Sequence, residues 1–338
     1  MATLQQAQQE QTGLGSRKSN HCHPSFIATK TIANVLANVK PTASNRQLAD
    51  LPISATVEQA FDLLLAEDIL SLPVYRLDDQ QKKVYVTIIS VLDLMRLLSQ
   101  HATDADFFQH SIKEAIGQTE ESSRLVTVQY SDSLKDVLSL FSEHGGHRVL
   151  VSSKDGQQPP ILLSQMDVVR YLQAHNHQLG AILNENVPAL VEKASLRRQK
   201  RLHLQNDQQQ QQQHLVTFKT TAIKAFEQMA HDPFISALPI VDDEDCLVGD
   251  ISPQDLRGLN KARLQDLSKP VLMFLKSSHG DLVAPHTCHD RFTLSQIMAA
   301  FVLRKASRLW WTDQDEHVIS VITLTDVLGS FLDDSFIC

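Results

Sequence analysis

Four cysteines, Cys22, Cys246, Cys288 and Cys338, lie far apart in this chain and never at CxxC spacing. That spacing excludes a zinc knuckle and argues against disulfides, so a reducing cytoplasmic or nuclear setting is expected. No apolar run approaches the roughly 18–20 residues of a spanning helix, so no membrane association is expected. Positive charge is short as well. The 31 Lys and Arg face 39 Asp and Glu, and the resulting net charge of −8 excludes bulk nucleic-acid binding, which needs clustered cations. Only 11 glycines are present, and no P-loop, GxGxxG or GxSxG motif occurs. The Gln-rich stretch Met1–Asn20 lacks the charged-then-apolar order of a signal peptide. His21-Cys22-His23 and Pro285–His289 each lack a second ligand pair, so no metal ligand is assigned. Without a visible nucleophile, base or metal constellation, no catalytic residue is assigned and no enzyme is expected.

What the chain does have is one phrase written four times. A Ser or Thr, two residues and an Asp close an apolar strand at Ser90–Asp93, Ser164–Asp167, Ser252–Asp255 and Thr323–Asp326. Each copy ends the same series: amphipathic helix, short apolar strand, turn, second apolar strand, phrase, then another helix. A repeat of this size makes the fold a set of copies of one supersecondary unit. The periodicity predicts helices at Val57–Leu65, Ser133–Phe141, Thr221–Met229 and Thr293–Leu303. It predicts hairpin strands at Ser71–Tyr75 with Val84–Ile89, Val149–Val151 with Ile161–Leu163, Ala237–Val241 with Leu247–Ile251, and Leu309–Trp311 with Val318–Ile322. A strand before the helix is read at Leu125–Val128, Leu215–Phe218 and Leu282–Ala284. Strand-helix-strand then gives a parallel crossover and strand-turn-strand a hairpin. One unit leaves a sheet face and a helix face uncovered, which explains an even number of copies. Two stretches, the N-terminal tail and about Glu192 to the Gln208–Gln213 tract, have too little apolar surface to offset chain entropy and read as unfolded.

Ser/Thr-x-x-Asp is in the first place a helix cap: the hydroxyl accepts an N–H of the first turn and the acid bonds back. Other caps in this chain vary, as at Thr56/Gln59, Ser133/Asp136 and Thr293/Gln296, whereas the strand-terminal phrase keeps Asp each time. A carboxylate can also accept both hydroxyls of a ribose diol, and helix N–H groups beside it suit phosphate. The fourfold retention of Asp therefore favours a ligand role.

With Leu125-Val126, Gly146-His147-Arg148-Val149-Leu150-Val151, Ile235-Ser236-Ala237-Leu238-Pro239-Ile240-Val241-Asp242 and Ser307-Arg308-Leu309, the chain resembles the CBS domain. Its four copies, over about 46–333, are similar to the gamma regulatory subunit of AMP-activated (SNF1-type) protein kinase. The resemblance implies an α+β fold of four CBS repeats forming two paired (Bateman) modules in a disc. Segments follow: a Gln-rich tail 1–24, repeat one 25–110, repeat two 111–180, a linker with the Gln-rich insertion 181–213, repeat three 214–265 and repeat four 266–338. It implies that AMP, ADP or ATP binds in clefts between repeats as a regulatory ligand, with no prosthetic group. Asp93, Asp167, Asp255 and Asp326 would hold ribose, and Ser90, Ser164, Ser252 and Thr323 would help hold base, ribose or phosphate. His147, Arg148, Arg170 and Arg308 would meet phosphate, and Ser236-Ala237 would supply the family's small pair. The implied partners are a protein kinase catalytic subunit and a scaffold beta subunit. Alternatives are a ligand-free CBS scaffold and a stand-alone sensor of another adenosyl compound such as S-adenosylmethionine. Three departures stand out: Leu70 where the family often has Arg, Ser307 where a His is usual, and Asp167 where kinase gamma subunits commonly lose the acid.

Overall fold

The computed structural model describes residues 22–41, 47–101, 104–153, 158–205, 214–232 and 235–333, the side chains of 201–205 excepted. Most of the Gln-rich tail, the Gln208–Gln213 tract and the Asp155-Gly156 turn lie outside the described residues.

Two short helices, α1 (His23–Ala28) and α2 (Ile32–Val39), precede the first repeat. Repeat one is β1 (Leu51–Pro52), α3 (Val57–Ala66), β2 (Ser71–Leu77), β3 (Lys83–Ser90) and α4 (Val91–Gln100). After α5 (Glu120–Ser123), repeat two is β4 (Thr127–Gln129), α6 (Leu134–Ser142), β5 (Arg148–Ser152), β6 (Ile161–Ser164) and α7 (Gln165–Ala174). The long α8 (Val187–Gln205) leads to repeat three: β7 (Val216–Thr217), α9 (Ala222–His231), β8 (Leu238–Val241) and β9 (Leu247–Ile251). Helix α10 (Val271–His279) precedes repeat four: β10 (Thr287–Cys288), α11 (Leu294–Arg304), β11 (Arg308–Thr312), β12 (Val318–Thr323) and α12 (Leu324–Ser330).

Every repeat makes one three-stranded sheet, with its first strand parallel to the second and the second antiparallel to the third. Local chemistry sets the corners. Thr56 and Gln59 cap α3 reciprocally, at 3.0 and 3.3 Å. In three hairpins an Asp folds the turn by accepting two backbone N–H groups on one oxygen: Asp78 from Gln80 and Lys82, Asp242 from Glu244 and Cys246, Asp313 from Asp315 and His317. Each of these turns then needs one left-handed residue, Gln81, Asp245 or Glu316.

The chain threads crosswise. The segment before repeat one pairs with repeat two, where Ile32 N–H donates to Asp132 O and Leu134 N–H to Lys30 O; the segment after repeat one returns to it, where Val57 N–H donates to His110 O. The second half repeats this: Val187 N–H donates to Phe292 O in repeat four, and Val271 N–H to Thr220 O in repeat three. Helix packing also crosses over. Helix α4 packs on α9, while α12 packs on α6 and α7 and α11 on α7. One apolar core therefore belongs to repeats one and three, around Phe61, Phe107, Phe226 and Phe274. The other belongs to repeats two and four, around Phe141, Val169, Ile297 and Phe301. Neighbours in sequence meet elsewhere: α5 lies on β3, and the hairpin turns of repeats three and four bridge at Cys246 and His317.

Four sequence expectations change. The strand of repeat four is Thr287–Cys288, not Leu282–Ala284; Leu282 and Val283 are exposed. In repeats one to three the first strand ends four residues before the cap, at Pro52, Gln129 and Thr217; Thr287–Cys288 ends five before Thr293, close to that spacing, whereas the apolar triplet ends nine before it. The third phrase opens only a 3-10 turn, Pro253–Leu256, because Gly258 follows at φ +80° against Leu65. The basic stretch after Glu192, expected to be unfolded, is helix: Arg, Lys and Gln are good helix formers, and Val187, Leu190 and Ala194 form a buried stripe. Finally, Cys22 is disulfide-bonded, whereas Cys246 and Cys288 are free; separation in sequence does not decide which thiols meet.

Within the segment after α4, the His110 ring bridges Glu114 at 2.8 Å and Asp104 at 2.7 Å. Both bonds raise its pKa, and His110 in turn lowers that of Glu114. A raised histidine pKa contributes stability below its unfolded value of about 6.5 and loses it as pH rises through the folded value. The expected result is that His110→Gln lowers the thermal midpoint at pH 6 and narrows to wild type by pH 9; an equal gap at both values would refute the ion pair's role.

Candidate functional site

All four phrases form reciprocal caps. Backbone N–H and hydroxyl of Ser90 donate to Asp93 Oδ2, both at 2.7 Å; Ser164 does so to Asp167 Oδ2 at 2.9 and 2.7 Å. Ser252 and Asp255 match at 2.7 and 3.2 Å, Thr323 and Asp326 at 2.9 and 2.7 Å. Capping takes one carboxylate oxygen from each phrase and leaves the other to be accounted for.

The repeats enclose a shared cavity of about 2810 Å³, well above the roughly 300–1,000 Å³ of an ordinary ligand pocket. Every candidate residue lines it except Asp93 and Asp255: Ser90, Ser164, Ser252, Thr323, Asp167 and Asp326 from the phrases, His147, Arg148, Arg170 and Arg308 among the bases, and Ser236-Ala237. Asp93 is 1% exposed and sits behind the wall. Burial pushes its carboxyl above the ordinary Asp range, against hydrogen bonds from Ser122, Ser90 and Thr119 that pull it down.

Although the whole chain is acidic, the cavity lining holds nine Lys or Arg against seven Asp or Glu, so the local field favours anions. Several of these cations are tethered. His147 donates its backbone N–H to Glu121 Oε1 at 2.9 Å and its ring meets Oε2 at 3.1 Å, with Arg148 at 3.8 Å. Burial would raise Glu121, but His147 and Arg148 hold it below the usual range. Arg308 reaches Asp250 at 3.3 Å and Ser236 O at 3.3 Å.

Sequence reasoning missed several residues. Arg96 lines the cavity with a buried Nε that has no hydrogen-bond partner among the described residues, and burial lowers its pKa. Its signal was readable: Asp93-x-x-Arg96 repeats the spacing of Asp167-x-x-Arg170. Arg197 and Arg198 of α8 reach repeat four, and Lys40 after α2 reaches Asp167 at 2.9 Å. Nothing local marks these three, because their targets lie in other repeats.

Among the described residues, His101/His110/Glu114 and Asp313/Asp315/His317 bring three possible metal donors within 4.8 Å. Both groups lie away from the cavity, and His110 and His317 are already hydrogen-bonded to carboxylates. His286, Cys288 and His289 form no such group, and burial pushes the Cys288 thiol up to about 12. No helix among the described residues is long and apolar enough to cross a membrane.

The CBS domain sequence profile matches residues 214–260. The archaeal protein MJ1225 of Methanocaldococcus jannaschii superposes with a TM-score of 0.65 at 16% identity, covering 85% of this chain and 97% of its own. The chain carries the CBS match in its third repeat and shares the fold of that archaeal protein. Over 86% of its length it is 24% identical to the SNF1-related protein kinase regulatory subunit gamma-like PV42a of Arabidopsis thaliana, of which 92% is covered. It is 21% identical to the 5'-AMP-activated protein kinase subunit gamma of Saccharomyces cerevisiae, with 91% of each chain covered. It thus resembles gamma subunits, which are regulatory components rather than catalytic ones.

Proposed function

We propose that this CBS protein is an adenine-nucleotide-sensing regulatory subunit of a Ser/Thr protein kinase of the AMP-activated type, joined to a catalytic subunit and a scaffold beta subunit. The observation that carries the reading is the shared cavity, where cations outnumber acids and the strand-terminal phrases of all four repeats converge. Nucleotide acts by differential affinity for two states of the complex. With His147, Arg148 and Arg308 drawn toward acids, few free cations converge, and AMP is favoured over ATP.

A thermal-shift series with AMP, ADP, ATP and S-adenosylmethionine tests the reading. A ligand at about 100 times its Kd adds about 2.7 kcal/mol per site, so AMP should raise the midpoint clearly. Trp310 lines the cavity, so its fluorescence should change in parallel. ATP binding tighter than AMP in isothermal titration would reverse the preference, and a shift only with S-adenosylmethionine would favour the stand-alone sensor. One observation supports a ligand-free scaffold instead: the phrase carboxylates are largely occupied by groups of the chain itself. No shift with any adenosyl compound would establish that second reading.

A further inference from the structure

The four phrase carboxylates differ in what holds the oxygen left over from capping. Asp93 Oδ1 accepts the hydroxyls of Thr119 and Ser122, at 2.7 and 2.6 Å. Two hydroxyls on one carboxylate oxygen are what a ribose diol would offer, so the chain supplies its own substitute. Asp255 Oδ1 meets His279 Nε2 at 2.9 Å. Asp326 receives Arg198 Nη2 on both oxygens, at 2.9 and 3.0 Å.

The Arg198 contact is well supported. Its neighbour Arg197 donates to Asp326 O at 3.1 Å and to Asp333 at 3.0 Å. Arg197 lies where a side chain at position 329 would stand: a Cβ on Gly329 would be 2.7 Å from its Nε. The buried stripe of Val187, Leu190 and Ala194 presents both arginines to repeat four. A ribose entering here would have to displace a guanidinium and leave it unpaired beside a nearly buried carboxylate.

Asp167 is the exception. Its Oδ2 takes the cap and Lys40 Nζ at 2.9 Å, but Oδ1 forms no hydrogen bond among the described residues. The Arg170 guanidinium stands 3.8 Å from that oxygen, too far for a hydrogen bond. Asp167 and Arg170 are one helical turn apart, both line the cavity, and Arg170 is 42% exposed. Resting on the nucleotide reading above, we propose that the chain takes a single adenosine monophosphate, in the cleft of repeat two. Asp167 Oδ1 accepts the ribose hydroxyls, Arg170 meets the phosphate, and Arg198 keeps the fourth cleft shut. The number and place of bound nucleotides are then set by the chain's own side chains rather than by the presence of the phrase.

Isothermal titration of AMP into the full chain tests this. Wild type should bind with a stoichiometry of one. Asp167→Asn keeps an oxygen for the cap and should weaken binding tenfold or more; Arg170→Gln, a change on a half-exposed side chain that leaves the fold intact, should do the same. Arg198→Ala should raise the stoichiometry to two, and adding Asp326→Asn should return it to one. Two or more sites in wild type, or one site that survives both Asp167→Asn and Arg170→Gln, overturns the inference and keeps the nucleotide reading. A stoichiometry still at one in Arg198→Ala overturns the closure of the fourth cleft. Absence of binding in both wild type and Arg198→Ala removes the nucleotide reading itself, and this inference with it.

Discussion

Asp93→Ala is expected to destabilise the protein by about 2–4 kcal/mol, because it strands several buried donors at once. The backbone N–H and hydroxyl of Ser90 and the hydroxyls of Thr119 and Ser122 all point at this carboxylate. Thr119 and Ser122 retain each other at 3.3 Å, which keeps the loss below the sum of four broken bonds. The change also removes the acid of a helix cap, itself worth about 1 kcal/mol. For a chain of this size the midpoint should fall by roughly 3–6 °C. Asp93→Asn should be milder. Since burial raises the Asp93 pKa, the folded protein binds this proton more readily than the unfolded chain. The contribution is full below the unfolded value near 3.9 and is lost as pH rises through the folded value. Wild type should therefore gain on Asp93→Asn as the solution is acidified from neutral. A loss under 1 kcal/mol in urea titrations of Asp93→Ala would mean that the hydroxyls find other acceptors and that the network is not structural.

The elements within each repeat were legible because they depend on local rules. Alternation marks β5 and β6, helical spacing marks α6, and Asp in a turn folds a hairpin wherever it occurs. The cap at each phrase was legible for the same reason. The leftover oxygen of each Asp was not. Thr119 and Ser122 reach Asp93 from a segment 26 and 29 residues away, and Arg198 reaches Asp326 across 128. Phrases that match in sequence are thus held by unlike groups: hydroxyls, an ammonium, an imidazole and a guanidinium. The basic stretch of α8 misled because a run of charge looks like a solvated face, while its buried stripe is spaced too sparsely to register among the arginines. The crossing of the cores was hidden too, since any repeat's apolar faces state that a partner is needed without naming it.

That crossing has a large consequence. If residues 22–205 and 214–333 are expressed as separate chains, neither is expected to be a folded monomer. The first carries repeats one and two, each with only its own half of a core; Phe61 and Phe107 lose Phe226 and Phe274, and Phe141 loses Phe301. Truncating one such phenylalanine to Ala typically removes about 3–5 kcal/mol, and division uncovers many at once. The total stability of a domain is only about 5–15 kcal/mol, so the separated halves cannot keep their helix faces in water. Each half alone should self-associate or lose its near-ultraviolet circular dichroism, and mixing from denaturant should yield a one-to-one complex of native ellipticity by light scattering. A monomeric first half with a sharp unfolding transition would show that sheet contacts between neighbouring repeats suffice. The cores shared by repeats one with three and two with four would then be secondary to pairing along the chain. The prediction goes the other way because the contacts between sequence neighbours, such as the hydrogen bond from Thr87 to Ser122 and the bridge from Cys246 to His317, are polar, whereas both apolar cores run across the division.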